Sequence, residues 1–248
     1  MKTAQKTVRL LKQFSLDAPE LGVIELSHRL QMDRASVHRL LQSLCGEGIV
    51  QQNERTRRYS LGPAIMDIAA VRAGWPGVAD VARKHLNQLR DRTGEGAALS
   101  RTDGASAICV TMVECRNTVR VVYELGERIP LHCSASGLVL LSHLEPERRA
   151  ALLAQPLERF TTCTVTDAGE LEAECGRVRE LDSAYAADTY LEGVRSVASP
   201  IRDAQGRVVA AVAISVPSAR MPDPSIAEFR KNVLNCASAI SDELSLKE

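Results

Sequence analysis

The feature that most constrains this chain is a pair of short amphipathic segments placed head to tail between residues 23 and 44. Ile24, Leu26 and Leu30 form an apolar stripe on the first. After Gln31-Met32, Asp33 is a good N-cap for a second helix running through Leu44, and Val37, Leu40, Leu41 and Leu44 share one of its faces. Two helices joined by so short a turn must cross compactly. The spacing fits a helix-turn-helix over Val23 to Gln42, with small Ser27 allowing close approach and Met32 packing at the turn. The N-terminal half of the second helix, carrying Arg34, Ala35, Ser36, His38 and Arg39, is left free to enter a DNA major groove. Gln31 occupies the turn position where glycine is usual, so the turn must accommodate a side chain.

The flanking sequence supports the same reading. Val8, Leu10, Leu11 and Phe14 recur at helical spacing from Thr7 to Phe14, and the helix should stop before Asp17-Ala18-Pro19. Downstream, Gly46-Glu47-Gly48 ends the second helix, Ile49 to Gln52 reads as a strand, Asn53 to Thr56 as a turn and Arg57 to Leu61 as a return strand. That hairpin is a wing, and Arg55, Arg57 and Arg58 put positive charge where a winged helix-turn-helix touches phosphates or the minor groove. The chain of 248 residues has no formal net charge, but residues 1–62 hold ten Lys/Arg against six Asp/Glu, or +4, which leaves −4 for the rest. A basic head precedes an acidic body, and double-stranded DNA is the expected partner of the head alone.

Several classes are excluded. No apolar run approaches the roughly 20 residues of a membrane-spanning helix, and the first fifteen residues lack a signal-peptide core, so a cytoplasmic protein with no membrane partner is expected. The seven cysteines are scattered, mostly within apolar sequence, and read as reduced core residues. No pair has the spacing of a structural zinc site and the five histidines are dispersed, so no metal is expected. No phosphate-cradling glycine loop or internal repeat occurs, and no cofactor is expected.

Pro63 to Arg72 reads as a linker helix, with Ile65, Ile68 and Ala69 at helical spacing, broken by Gly74, Pro76 and Gly77. The expected domains are therefore 1–62 for the winged helix-turn-helix, 63–77 for the linker and 78–248 for the body. In the body, Val78 to Thr93 is helical and Gly96 to Tyr123 looks like three strands in a meander. Helices are expected over 130–144, with Ser134 or a neighbour as cap, over 146–155 and over 168–181, capped by Asp167. Val194 to Ile201 and Val208 to Val216 are strands joined by a hairpin, and a C-terminal helix carries Ile226, Phe229, Val233, Cys236 and Ile240. Strands, then helices, then strands argue an α+β domain over a doubly wound one.

With this order on the page, the chain resembles the IclR family of bacterial transcription regulators over nearly its whole length. The stretches that carry the likeness are Asp33-Arg34-Ala35-Ser36-Val37-His38-Arg39-Leu40-Leu41, Arg58-Tyr59-Ser60-Leu61-Gly62, Pro130-Leu131-His132-Cys133-Ser134-Ala135-Ser136-Gly137, Glu192-Gly193-Val194-Arg195-Ser196-Val197-Ala198-Ser199-Pro200 and Ala213-Ile214-Ser215-Val216. The resemblance implies a GAF-like effector domain with an antiparallel sheet, homodimers that often pair into tetramers, and a small organic effector controlling promoter binding. It also implies a pocket at Ile129, Ala135, Ser136, Asp188, Val194, Ser196 and Ser215. Where the family usually has Thr-Ala-x-Gly-Lys, this chain has Ser134-Ala135-Ser136-Gly137-Leu138, and Ser196 stands where cysteine is frequent. The helix start and hydroxyls favour an organic acid, and the apolar Ile129 and Val194 suggest an aromatic one. The competing enzyme or redox-sensor reading rests on Cys133 beside His132, with Asp188, although neighbours on an extended strand point to opposite faces.

Overall fold

The computed structural model describes residues 3–15, 17–73, 77–122 and 124–246. The chain divides into two units, Met1–Trp75 and Pro76–Glu248. The expected breakers Gly74 and Pro76 lie outside the described residues, and Gly77 stands as the N-cap of the next helix.

The first unit comprises α1 (Thr3–Leu11), α2 (Val23–Leu30), α3 (Arg34–Gly46), the hairpin β1 (Val50–Gln52) and β2 (Tyr59–Leu61), and α4 (Ala64–Ala73). α1 begins and ends earlier than its periodicity suggests, and only Leu10 of its apolar set is fully buried. Val8 and, on α2, Ile24 stand about half exposed at 53% and 52%. The core is instead Leu10, Leu21, Leu26, Leu30, Val37, Leu41, Val50 and Tyr59, and each fully buried leucine contributes roughly 1.5–3 kcal/mol of transfer free energy. The turn between α2 and α3 turns on Gln31, which adopts the left-handed conformation at φ 51° and ψ 47°, while its amide donates to the carbonyls of Ser27 and His28. Ser27 Oγ closes the same turn by donating to the Met32 carbonyl at 2.6 Å. Asp33 caps α3 as expected, accepting from the Ser36 amide at 2.8 Å.

The second unit is one six-stranded antiparallel sheet in the order β5-β4-β3-β8-β7-β6. Its strands are β3 (Ala97–Asp103), β4 (Ser106–Val113), β5 (Arg128–Pro130), β6 (Ala184–Ala187), β7 (Val194–Arg202) and β8 (Val208–Pro217), and its helices are α5 (Val78–Thr93), α6 (Ala135–Ser142), α7 (Pro146–Leu153), α8 (Ala168–Leu181) and α9 (Ile226–Ser245). The expected meander holds only two long strands, because residues 114–122 form no strand and the third partner is the short β5. β6 was not visible as a period-two signal, being four residues of small or aromatic type.

Alternation along the strands sorts the layers. Leu99, Val197, Val212, Ile214 and Val216 face α5 and α9, whereas Ala107, Ala186, Ala198, Ala211 and Ala213 face α6 and α8. Alanines on that face let α6, apolar all round and buried along nearly its whole length, lie close to the sheet.

A left-handed glutamine costs roughly 1–2 kcal/mol, and glycine would return part of that through the entropy of the unfolded chain. Gln31→Gly is therefore expected to stabilise the first unit by about 0.5–1 kcal/mol. Native-state amide exchange at Leu26 and Leu41 should slow correspondingly; faster exchange would show that the Gln31 side chain stabilises the turn by more than its backbone costs.

Candidate functional sites: an exposed basic helix and wing, and a small cavity

In the first unit, burial of Val37 and Leu41 turns Arg34, Ala35, His38 and Arg39 to the exposed face of α3, with Ser36 half-buried. Arg39 Nη2 donates to Ser36 Oγ at 3.2 Å, so the two polar side chains are held together. The Ser36 amide, donating to Asp33, holds its carboxyl below the ordinary carboxylate value, so the cap is ionised near neutrality.

The wing is built by Asn53, whose Oδ1 accepts from the amides of Arg55 and Thr56, and by Arg57 in a left-handed conformation at φ 58°. Arg55 and Arg57 are exposed at its tip. Arg58 differs. Its Nη2 lies 2.8 Å from both the Glu20 carbonyl and Glu25 Oε2, tying the wing back to the start of α2. Glu25 also accepts from the Gly22 amide, and that bond, then Arg58, holds its carboxyl below the usual range. The reversal at Arg57 carries Arg58 inward, so it has a structural partner that sequence alone did not supply.

In the second unit a cavity of about 60 Å³ opens at the N-terminus of α6. Of the implied pocket residues, Ile129, Val194, Ser196 and Ser215 line it. Ser196 and Ser215 are directly opposed across β7 and β8, on the same face as the Ala198–Ala213 pair, so two hydroxyls lie side by side. Cys133 and the cap Ser134 form the helix end of the cavity, and Ser134 Oγ accepts from the Gly137 amide at 3.1 Å. The next amides, at Ala135 and Ser136, belong to the first helical turn, where no intrahelical acceptor exists. Gly137 is required by packing, since a Cβ there would stand 2.5 Å from the Leu131 carbonyl oxygen.

Three implied residues do not line the cavity. Ala135 is fully buried in the core between helix and sheet. Ser136 is not part of the cavity lining, though its Oγ lies 3.5 Å from that of Ser134. Asp188 adopts φ 58°, its amide donates to the Val194 carbonyl at 2.8 Å, and its carboxylate accepts from the Gly193 amide. It therefore closes the β6–β7 turn and is not part of the cavity lining.

The residues missed by sequence reading come from irregular segments: Glu127, Thr189, Tyr190 and Leu191, with Val121 and Val122. Thr189 Oγ1 donates to the Cys133 carbonyl at 2.7 Å, and Tyr190 packs edge-on to Phe160 with centroids 5.0 Å apart. Loops have no hydrophobic period, and only their position between recognised motifs could have flagged them. The 114–122 segment is anchored from below: Arg220 binds buried Glu95 through Nε at 2.5 Å and Nη2 at 2.9 Å, and donates Nη1 to the Val119 carbonyl at 2.8 Å.

Cys133 is not built as a nucleophile. Burial pushes its thiol up to about 12, and Sγ donates to the Pro130 carbonyl at 3.2 Å. His132 points elsewhere, with Nε2 2.8 Å from the Glu158 carbonyl. Among the described residues no group of three or more His, Cys, Asp or Glu is placed to hold a metal ion, and no helix is long and apolar enough to cross a membrane.

Comparison with known proteins agrees with both units. The IclR helix-turn-helix domain matches residues 3–54, and the bacterial transcriptional regulator IclR C-terminal domain matches residues 76–242. The HTH-type transcriptional regulator BhcR of Paracoccus denitrificans is 30% identical over 222 residues, 89% of this chain and 80% of the relative. The regulator XynR of Escherichia coli is 27% identical over 98% of this chain and 97% of its own length. Among solved structures, an IclR-type regulator from a Silicibacter species superposes with a TM-score of 0.93 at 30% identity, covering 98% of this chain and 96% of that one. An IclR homologue from Microbacterium hydrocarbonoxydans complexed with 4-hydroxybenzoate has a TM-score of 0.78 at 24% identity, over 99% of this chain and all of that one. The chain belongs to the IclR family of DNA-binding bacterial transcriptional regulators.

Proposed function

We propose that this chain controls a catabolic operon in response to a short organic acid held in the α6 cavity. The observation that carries the reading is the convergence of the α6 N-terminus with the opposed Ser196 and Ser215 hydroxyls in one small recess. First-turn amides and the helix dipole favour an anion, and hydroxyls donate to a carboxylate without a buried counter-charge. Glu127 and Tyr190 at the other side suit a hydrogen-bond donor on the ligand. About 60 Å³ is the space of roughly four water-sized groups, which favours a hydroxy- or oxo-acid of a few carbons over an aromatic acid; an aromatic ring would need Val121 and Val122 to move. Relatives named as repressors, such as AllR of Escherichia coli, favour repression as the sense of control.

On the DNA side, Arg34, Ser36 and Arg39 are assigned to bases or phosphates, with Ala35 and His38 on the same face, and Arg55 and Arg57 to the backbone. Arg58 supports the wing. Arg39→Ala is expected to weaken specific operator binding by about 1–3 kcal/mol through loss of a bidentate base contact. Arg57→Ala should lower affinity for all sequences and flatten its salt dependence. Unchanged operator affinity in both Arg34→Ala and Arg39→Ala would sink the assignment.

One winged unit reads one half-site, so the working form is at least a homodimer, with pairing into a tetramer as the family allows. α4 supplies the contact: Met66 and Ile68 are 71% and 60% exposed within a single chain. Light scattering at micromolar concentration should give twice or four times 27.0 kDa. A monomer with full operator binding would contradict the assignment.

Titration calorimetry of the full chain with aliphatic, glyoxylate-like and aromatic acids tests the cavity. A short acid should bind, Ser196→Leu and Ser215→Leu should each weaken it at least tenfold, and Ser136→Ala should not. Binding that survives both leucine variants would mean the cavity is not the effector site.

A further inference from the structure

The second unit holds another, larger recess. It is a trough of about 530 Å³ along β6, the last strand of the sheet, walled by Leu171, Glu174 and Arg177 of α8 and by Arg230 of α9. Ala186 and Thr189 line both this trough and the α6 cavity and so form the partition between them. Two polar groups in its wall are left without partners. Ser183 is 2% exposed, and its Oγ is buried with no hydrogen bond among the described residues. Arg230 Nε is likewise buried without a partner, and Arg230 makes no ion pair among the described residues. Several other arginines of this unit are ion-paired: Arg149 with Glu172, Arg195 with Asp223, Arg202 with Asp182, Arg207 with Asp203, Arg220 with Glu95 and, at the trough rim, Arg177 with Glu174. A buried hydroxyl or guanidinium nitrogen left unpaired is costly; Tyr59, Arg195, Ser199 and Ser218 also hold such an atom among the described residues, and Ser183 and Arg230 are the two that line this trough.

We propose that the trough is a second ligand site, taking an organic monoanion whose carboxylate binds Arg230 and the Ser183 hydroxyl. The rest of the lining sets the ligand class. Leu138, Val165, Leu171, half-exposed Leu181 and Tyr185 offer an apolar bed for a hydrocarbon body, which an inorganic anion lacks. Glu170 and Glu174 on the α8 side repel a second negative charge, which disfavours dicarboxylates. The volume accommodates a six-carbon or aromatic chain that the α6 cavity, at about 60 Å³, does not.

The test uses the full chain and hexanoate as probe, with butanedioate and inorganic phosphate as comparisons. The readout is the Arg230 Nε–Hε resonance, assigned by its loss in Arg230→Lys. Hexanoate is expected to shift it saturably, and the comparison anions to shift it little. In calorimetry Arg230→Gln should weaken hexanoate binding at least tenfold, Ser183→Ala several-fold, and Arg230→Lys should recover part of the loss. Ser215→Leu, which blocks the other cavity, should leave the response intact, so failure here is distinguishable from failure of the effector assignment. If Arg230→Gln does not fold, as judged by its melting curve, the Lys and Ser183→Ala variants carry the test. The proposal is overturned by a response that does not saturate, by equal responses to phosphate, or by hexanoate binding that survives Arg230→Gln. It is also overturned if hexanoate has no effect while Leu181→Lys lowers the oligomeric mass, which would make the trough a contact between copies.

Discussion

The second unit depends on how closely α6 can lie against the sheet. Its first turn passes so near the preceding chain that a Cβ at residue 137 would collide with the Leu131 carbonyl, and the strands beneath offer alanines at 198, 211 and 213. One pleat further along β7 and β8, the same face changes from the Ala198–Ala213 pair to the Ser196–Ser215 pair. The helix begins where that change occurs. A recess with hydroxyls on its floor and helix amides on its wall follows from that geometry.

The winged unit obeys a similar constraint. Gly62 follows β2 where its backbone lies against Gly48, and a Cβ there would come within 2.2 Å of the Gly48 carbonyl oxygen. The wing is thus held against the end of α3, and Arg58 fixes its other side to Glu25 at the start of α2. Holding both ends leaves Arg55 and Arg57 as the exposed basic groups of a tip whose backbone is already set by Asn53. A preorganised tip loses less conformational freedom on meeting a phosphate backbone than a floppy hairpin would.

Much of this was legible in the sequence because it rests on period and capping. The helix-turn-helix, the wing, the Asp33, Ser134 and Asp167 caps and the long strands β7 and β8 all carry local signals, and the structure has them. What failed is instructive. Val8 and Ile24 fit an apolar stripe but stand about half exposed, because a unit this small offers them little cover. The third meander strand did not form where Val and Thr are abundant, because residues 114–122 are drawn over the cavity by Arg220 and Glu95, 125 positions apart in sequence. Ala135 and Asp188 sit in the right motifs but serve packing and turn closure, a distinction that only tertiary position makes.

Among the described residues no lysine or arginine lines the α6 cavity, and its chemistry bears on why. A cation buried in so small a space would be stabilised when an acid is bound and left uncompensated when it is absent, at a cost of several kcal/mol. Amides and hydroxyls contribute less to the bound state, with a helix terminus supplying about 0.3–1 kcal/mol and up to ~2 when partly buried. They also bring no charge that would stand uncompensated in the empty state, and Ser134 satisfies the Gly137 amide beside them. Under the proposed function, a wall of amides and hydroxyls leaves no cation uncompensated when the cavity is empty, which lets a ligand shift a population rather than complete a structure.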